Sequence, residues 1–216
     1  MKRAAIGIRA HSGWAAVVAV AGHLSTPAIL DRQRIAVVDS GAPRAGQPYH
    51  FAKNLPLQQA DAHLAECAKT ARLFAIDGLK AMADRLRHAQ YEIAYCGVLM
   101  ASGRPVPALP EILASHAMIH TAEGEFFRNV FSDACQQLGI PVTKVHEREL
   151  FDRAAKELRL TSAKIVRRLT ALGRELGPPW TQDQKSAALV GWLLLNGGTK
   201  GRTRATRGRS QAPVRR

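Results

Sequence analysis

The chain has 216 residues, 46% of them hydrophobic, with 31 Lys and Arg against 17 Asp and Glu for a formal net charge of +14. That length suits one domain, and that apolar content suffices to bury a core, which excludes a globally disordered chain. No run approaches the roughly 20 apolar residues of a membrane span, so no membrane association is expected.

Met1-Lys2-Arg3 is basic and 15–21 is apolar, but Arg9, His11 and Ser12 interrupt the stretch between them. A secretory signal needs its apolar run directly after the charges, so the chain is expected to be cytoplasmic. Cys67, Cys96 and Cys135 are widely spaced and form no CxxC pair. They read as small buried hydrophobes in a reducing compartment.

Ala4 to Ile8 and Trp14 to Val20 are apolar runs split by His11-Ser12-Gly13, the pattern of a β-hairpin. Arg34 to Val38 reads as a third strand, and the Gly- and Pro-rich residues 40–56 as a loop. From Leu57 to about His88 apolar residues recur at helical spacing, with Gly78 marking a kink. Tyr91 to Met100 reads as a buried fourth strand and the proline-rich residues 102–110 as a loop. Glu111 to Leu138 reads as one long helix stopped by Gly139-Ile140-Pro141, and Val142 to Val145 as a fifth strand. Helices follow over 147–158, from a Thr161 or Ser162 cap to about Leu176, and over 182–195. The expected fold is α/β, a five-stranded mixed sheet of three hairpin-linked strands and two βα units, flanked by helices.

Half of the charge excess lies in 196–216, which holds Lys200, Arg202, Arg204, Arg207, Arg209, Arg215 and Arg216 and no acid. Such a Gly/Thr/Arg-rich segment buries nothing, so residues 1–195 are read as the domain and 196–216 as a disordered basic tail. Arginines on a flexible backbone suit phosphates, which makes nucleic acid or a ribonucleoprotein the expected partner; a merely solubilising extension is the alternative. Lys164 and Arg168 share one helix face, and Arg167 with Arg174 another, as phosphate contacts or as a solvated face.

His116, His120 and Glu123 fall at helical spacing on one face, with Glu125 close by. Two imidazoles and a carboxylate in that pattern suit acid–base work or a divalent metal. His11 is expected to approach this helix. Local hydrogen bonds and pairing of the acids with Arg128 explain the same residues without chemistry. Ser102-Gly103-Arg104-Pro105 lacks the spacing of a phosphate-binding loop. Trp14, Trp180 and Trp192 read as packing residues, with no basic residues interleaved.

The strand order, with Ile6-Gly7-Ile8-Arg9-Ala10-His11-Ser12-Gly13-Trp14-Ala15, Cys96-Gly97-Val98-Leu99-Met100, Leu138-Gly139-Ile140-Pro141-Val142, His146-Glu147-Arg148-Glu149 and Lys185 to Leu195, resembles the ribonuclease-H-like superfamily. The likeness is to its Holliday-junction-resolvase-like branch and, more distantly, to the non-nucleolytic central domain of peptide-release-factor-like proteins. Active resolvases of that kind place an Asp on strand one, since two metal ions need carboxylate ligands for in-line displacement at phosphorus. Here that position is Arg9; Val98 to Ser102 offers no acid, and the last helix has Lys185-Ser186-Ala187, with Asp183 one turn earlier. The resemblance therefore implies the fold with its acidic metal-binding set largely absent. A catalytically degenerate nucleic-acid-binding module is the leading expectation, and no cofactor is expected for it. A hydrolase, metal-dependent or not, using His11, His116, His120, Glu123 and Glu125 is the second. A protein-interaction scaffold is the third.

Overall fold

The computed structural model describes residues 1–23, 25–39, 41, 43–101 and 105–197. The tail residues Lys200, Arg202, Arg204, Arg207 and Arg209 lie outside the described residues, as does Arg104 of the loop after the fourth strand. Among the described residues, no helix is long and apolar enough to cross a membrane.

Three antiparallel strands open the chain: β1 (Lys2–His11), β2 (Trp14–His23) and β3 (Thr26–Ala36). The β1–β2 turn is tight because Gly13 takes φ +79°, where a side chain would be strained. β3 starts eight residues before the expected Arg34. Its polar stretch Asp31-Arg32-Gln33 hides a strand by composition, yet β3 is the sheet edge, where charges are tolerated. β4 (Tyr91–Met100) and β5 (Val142–His146) run parallel to β1, giving the order β3-β2-β1-β4-β5. This is the expected mixed five-stranded sheet.

Both faces of the sheet are covered. Ile6, Ile8, Val17, Cys96, Val98 and Met100 face α2 (Leu57–His88) and α4 (His116–Gln137). Val18, Val20, Leu99 and Val145 face α5 (Leu150–Leu158), α6 (Ser162–Leu176) and α7 (Gln182–Gly197). Strands covered on both faces read as continuous apolar runs, as β2 does.

α7 lies directly on the central strands. A Cβ on Gly7 would sit 1.8 Å from the carbonyl oxygen of Ala187, and one on Gly97 would sit 2.0 Å from Val190. Gly191 in turn approaches the Gly7 amide nitrogen and the Ala5 carbonyl. Ala187 against Gly7 and Gly191 against Ala5 make α7 antiparallel to β1. One helical turn, ~5.4 Å, roughly matches two strand residues, ~6.6 Å. Asp183, one turn before Ala187, therefore falls beside Arg9 at the carboxyl end of β1.

Three helical expectations are corrected. α2 runs unbroken through Gly78, whose missing Cβ makes room for the Ile35 side chain. The 40–56 loop contains a 3-10 turn (Pro43–Gly46) and α1 (Pro48–Ala52), started by a proline at a position that needs no N–H donor. The single helix expected over 111–138 is two: α3 (Leu109–Leu113), then α4, whose Ser115 side chain accepts the Met118 N–H as an N-cap. At the other end of α4, Gly139 at φ +70° and the Ile140 N–H on the Cys135 carbonyl close it as a Schellman turn.

Arg32 of β3 donates to the carbonyls of Leu176, Gly177, Pro178 and Pro179 at 2.6–3.2 Å. It satisfies the orphan acceptors at the carboxyl end of α6 and binds the α6–α7 connection to the sheet. Trp180 covers Gly173 and donates its indole N–H to the Leu169 carbonyl at 2.7 Å.

Candidate functional site

Ligands of open α/β sheets gather outside the carboxyl ends of the parallel strands. At that end of β1, Arg9 points to the α7 side and holds two carboxylates: Asp183 of α7 at 2.8 Å and Glu147, just after β5, at 2.6 Å. His11 lies two residues on along the same face. Its Nε2 is 3.1 Å from Asp183 Oδ1, without the alignment of a hydrogen bond. The His11 ring stacks on Trp14 at 4.4 Å, and the Arg34 guanidinium covers Trp14 at 4.2 Å. Trp14 is thus flanked by His11, three residues before it, and by Arg34, which the β2–β3 pairing brings to it.

This placement corrects the expectation that His11 approaches α4. Side chains alternate along a strand, so Arg9 and His11 share the α7 face, while Ile6 and Ile8 face α4. Glu125 also leaves the expected set: its carboxylate lies 3.8 Å from Arg128 and lines a separate groove with Tyr49, Arg72 and Asp133. Burial lowers the Arg128 guanidinium from its usual value, against the opposing pull of Glu125 and Glu147. The Arg128 head also lies over Gly124 of α4.

His116, His120 and Glu123 do come together, with a partner that sequence reasoning missed. His50 of α1 brings its Nδ1 to 2.9 Å from Glu123 Oε2, and its backbone N–H donates to Oε1 at 3.1 Å. His116 and His120 face each other with their Nε2 atoms 3.1 Å apart. The His50 ring contacts both, at centroid distances of 5.4 and 4.8 Å. Glu123 is only 3% exposed. Burial and then the charges of Glu123 and Asp61 raise the Tyr49 phenol next to His50. The signal that could have found His50 is Pro48, a helix-start proline that turns an apparent loop into a short helix.

On α6, Lys164, Arg167 and Arg168 line a groove of about 400 Å³ with Ser25, Leu160 and Ala171. Lys164, Arg167 and Arg174 are exposed and Arg168 is half-buried. None of the four makes an ion pair among the described residues. A cationic helix face is thus open to a ligand.

No protein-family model and no curated protein matches the sequence. Two solved structures of RuvC from Thermus thermophilus match the fold. One has 12% identity over 93% of this chain and 97% of that one, with a TM-score of 0.53. The other, RuvC in complex with a Holliday junction substrate, has 10% identity over 92% and 96%, with a TM-score of 0.50. The fold of this chain is ribonuclease-H-like.

The residues at this end of β1 do not fit a two-metal centre. A guanidinium, always charged, lies between Asp183 and Glu147 where carboxylate oxygens would have to converge on a dication.

Proposed function

We propose that this chain is a nucleic-acid-binding module that carries a ribonuclease-H-like frame without two-metal cleavage chemistry. The observation that carries this reading is Arg9, whose guanidinium pairs with both Asp183 and Glu147 at the carboxyl end of β1. Binding draws support from the overall charge of +14 and from Lys164, Arg167 and Arg168 of α6, which have no ion-pair partner among the described residues and line a groove. The structural neighbour that holds a branched DNA substrate makes four-way DNA the first ligand to try. In this reading Lys164, Arg167, Arg168 and Arg174 contact the phosphate backbone, and Lys200, Arg202, Arg204, Arg207 and Arg209 add a sequence-independent arm.

A gel-shift titration of the full chain on four-way DNA, duplex DNA and structured RNA, with and without Mg²⁺ or Mn²⁺, tests this. Retarded bands that weaken steeply with salt, with every strand intact, are the expected result. Metal-dependent product bands, or no affinity for any probe at low salt, would overturn it. The hydrolase reading built on five residues loses support here, since His11 stacks on Trp14 on the α7 side and Glu125 faces Arg128.

A further inference from the structure

His50, His116 and His120 come from two helices that meet only in the folded chain, and each offers one nitrogen within 4.8 Å of the other two. Glu123 is almost wholly buried, and both its oxygens are engaged by His50. A carboxylate accepts, so His50 Nδ1 donates, and in the neutral ring the lone pair belongs to Nε2. His116 and His120 lie one helical turn apart, and their Nε2 atoms meet at 3.1 Å. Two neutral imidazoles can share only one proton across that gap. Two nitrogens bound to one tetrahedral ion at Zn–N distances of about 2.0–2.1 Å are held about 3.3 Å apart. The observed spacing is close to that edge. The rings of His116 and His120 are exposed and can turn to close the remaining distance to His50.

The donor set selects the ion. Three imidazole nitrogens with no carboxylate or thiolate in direct reach suit borderline divalent ions and not Mg²⁺ or Ca²⁺. The carboxylate hydrogen-bonded behind one ligand is the outer-shell device that fixes the tautomer and orientation of a metal-bound histidine.

We propose that His50, His116 and His120 form a binding site for a zinc-class divalent cation, with Glu123 as the residue that positions His50 and with the fourth coordination position open to water. The site ties α1 to the first turns of α4. It is separate from the Arg9 cluster and does not depend on nucleic-acid binding.

The test uses the full-length, tag-free chain, stripped with a chelator and titrated with Zn²⁺ by calorimetry and with Co²⁺ by visible absorption. One equivalent of Zn²⁺ and an intense four-coordinate Co²⁺ band are expected. His50→Ala and the double change His116→Ala/His120→Ala should each abolish the band and weaken Zn²⁺ binding by about 100-fold or more. Glu123→Gln should keep one equivalent and weaken it by about 10–100-fold. Because His116 and His120 are exposed, the double variant is expected to keep the parent circular dichroism spectrum, so loss of metal would not reflect unfolding. His63 and Cys67, with Nε2 and Sγ 3.5 Å apart, are the rival soft donors. Unchanged affinity in the double variant, loss of the metal in His63→Ala instead, or no Zn²⁺ bound by the parent chain would each overturn the assignment.

Discussion

The cluster around Arg9 and the cluster around His50 belong to opposite faces of one sheet, and each joins residues far apart in the chain. Around Arg9 a permanent cation lies between two carboxylates and engages one oxygen of each, Asp183 Oδ1 and Glu147 Oε1. Around His50 the single carboxylate is spent on orienting one ring, and each of the three rings places a nitrogen within 4.8 Å of the other two. Counting acids would rank the first cluster as the metal site. What decides is which groups the donor atoms face, and that ranks the second above it.

The largest effect is expected where the first cluster is built. Gly7→Ala pushes a methyl into the α7 backbone, which cannot yield as a flexible side chain would. A loss of about 3 kcal/mol or more is expected, read from the urea midpoint. A variant as stable as its parent would mean that direct α7–β1 contact does not place Asp183.

Arg9→Asp converts the first cluster into three neighbouring carboxylates. The site is partly solvated, so the loss without metal should be about 2 kcal/mol, between the values for exposed and buried pairs. Millimolar Mn²⁺ should then raise the melting temperature of the variant and leave the parent unchanged. Equal responses would show that the guanidinium is not what keeps dications out.

A smaller effect is expected on α6. Replacing Lys164, Arg167 and Arg168 by Ala should lower the slope of log affinity against log salt by about 1 per residue. Folding stability should change by less than about 0.5 kcal/mol per substitution, as for other surface changes. An unchanged slope would place the phosphate contacts elsewhere.

The mildest test concerns the thiols, which belong to neither cluster. Burial and Glu66 push Cys67 above the usual thiol range. Burial and the neighbouring Cys135, 3.3 Å away, push Cys96 well above it. A raised value leaves less thiolate at a given pH, so iodoacetamide at pH 8 should modify native Cys67 more slowly than a free thiol. Cys96 should react only after unfolding. Rapid labelling of Cys96 in the native chain would contradict its burial.

Much of the fold is legible in the local sequence. The apolar runs 4–8 of β1, 14–20 of β2 and 93–100 of β4, the α2 stripe, the Thr161 cap and the Gly139 stop are short-range signals that the structure repeats. The misreadings fall where position in the fold overrides composition. β3 tolerates charges because it is an edge, and α1 gains its place by packing Ala52 against Ala60 and Leu64. The helix over 111–138 divides at Ser115, whose hydroxyl takes the Met118 N–H in place of the Ala114 carbonyl that an uninterrupted helix would offer.

The candidate site was legible only in part, because a helix spacing fixes neighbours along one element and nothing across elements. His116, His120 and Glu123 share a face of α4 by the 3.6-residue period, which their numbers alone determine. That His50 completes the group, that His11 does not, and that Arg9 finds both Asp183 and Glu147 follow from sheet order, from the face each strand residue takes and from the direction of α7. Local periodicity set the elements and their buried faces. Only tertiary packing, with the backbone contact of α7 on Gly7 at its centre, decided which polar groups meet and which donor atoms stay free.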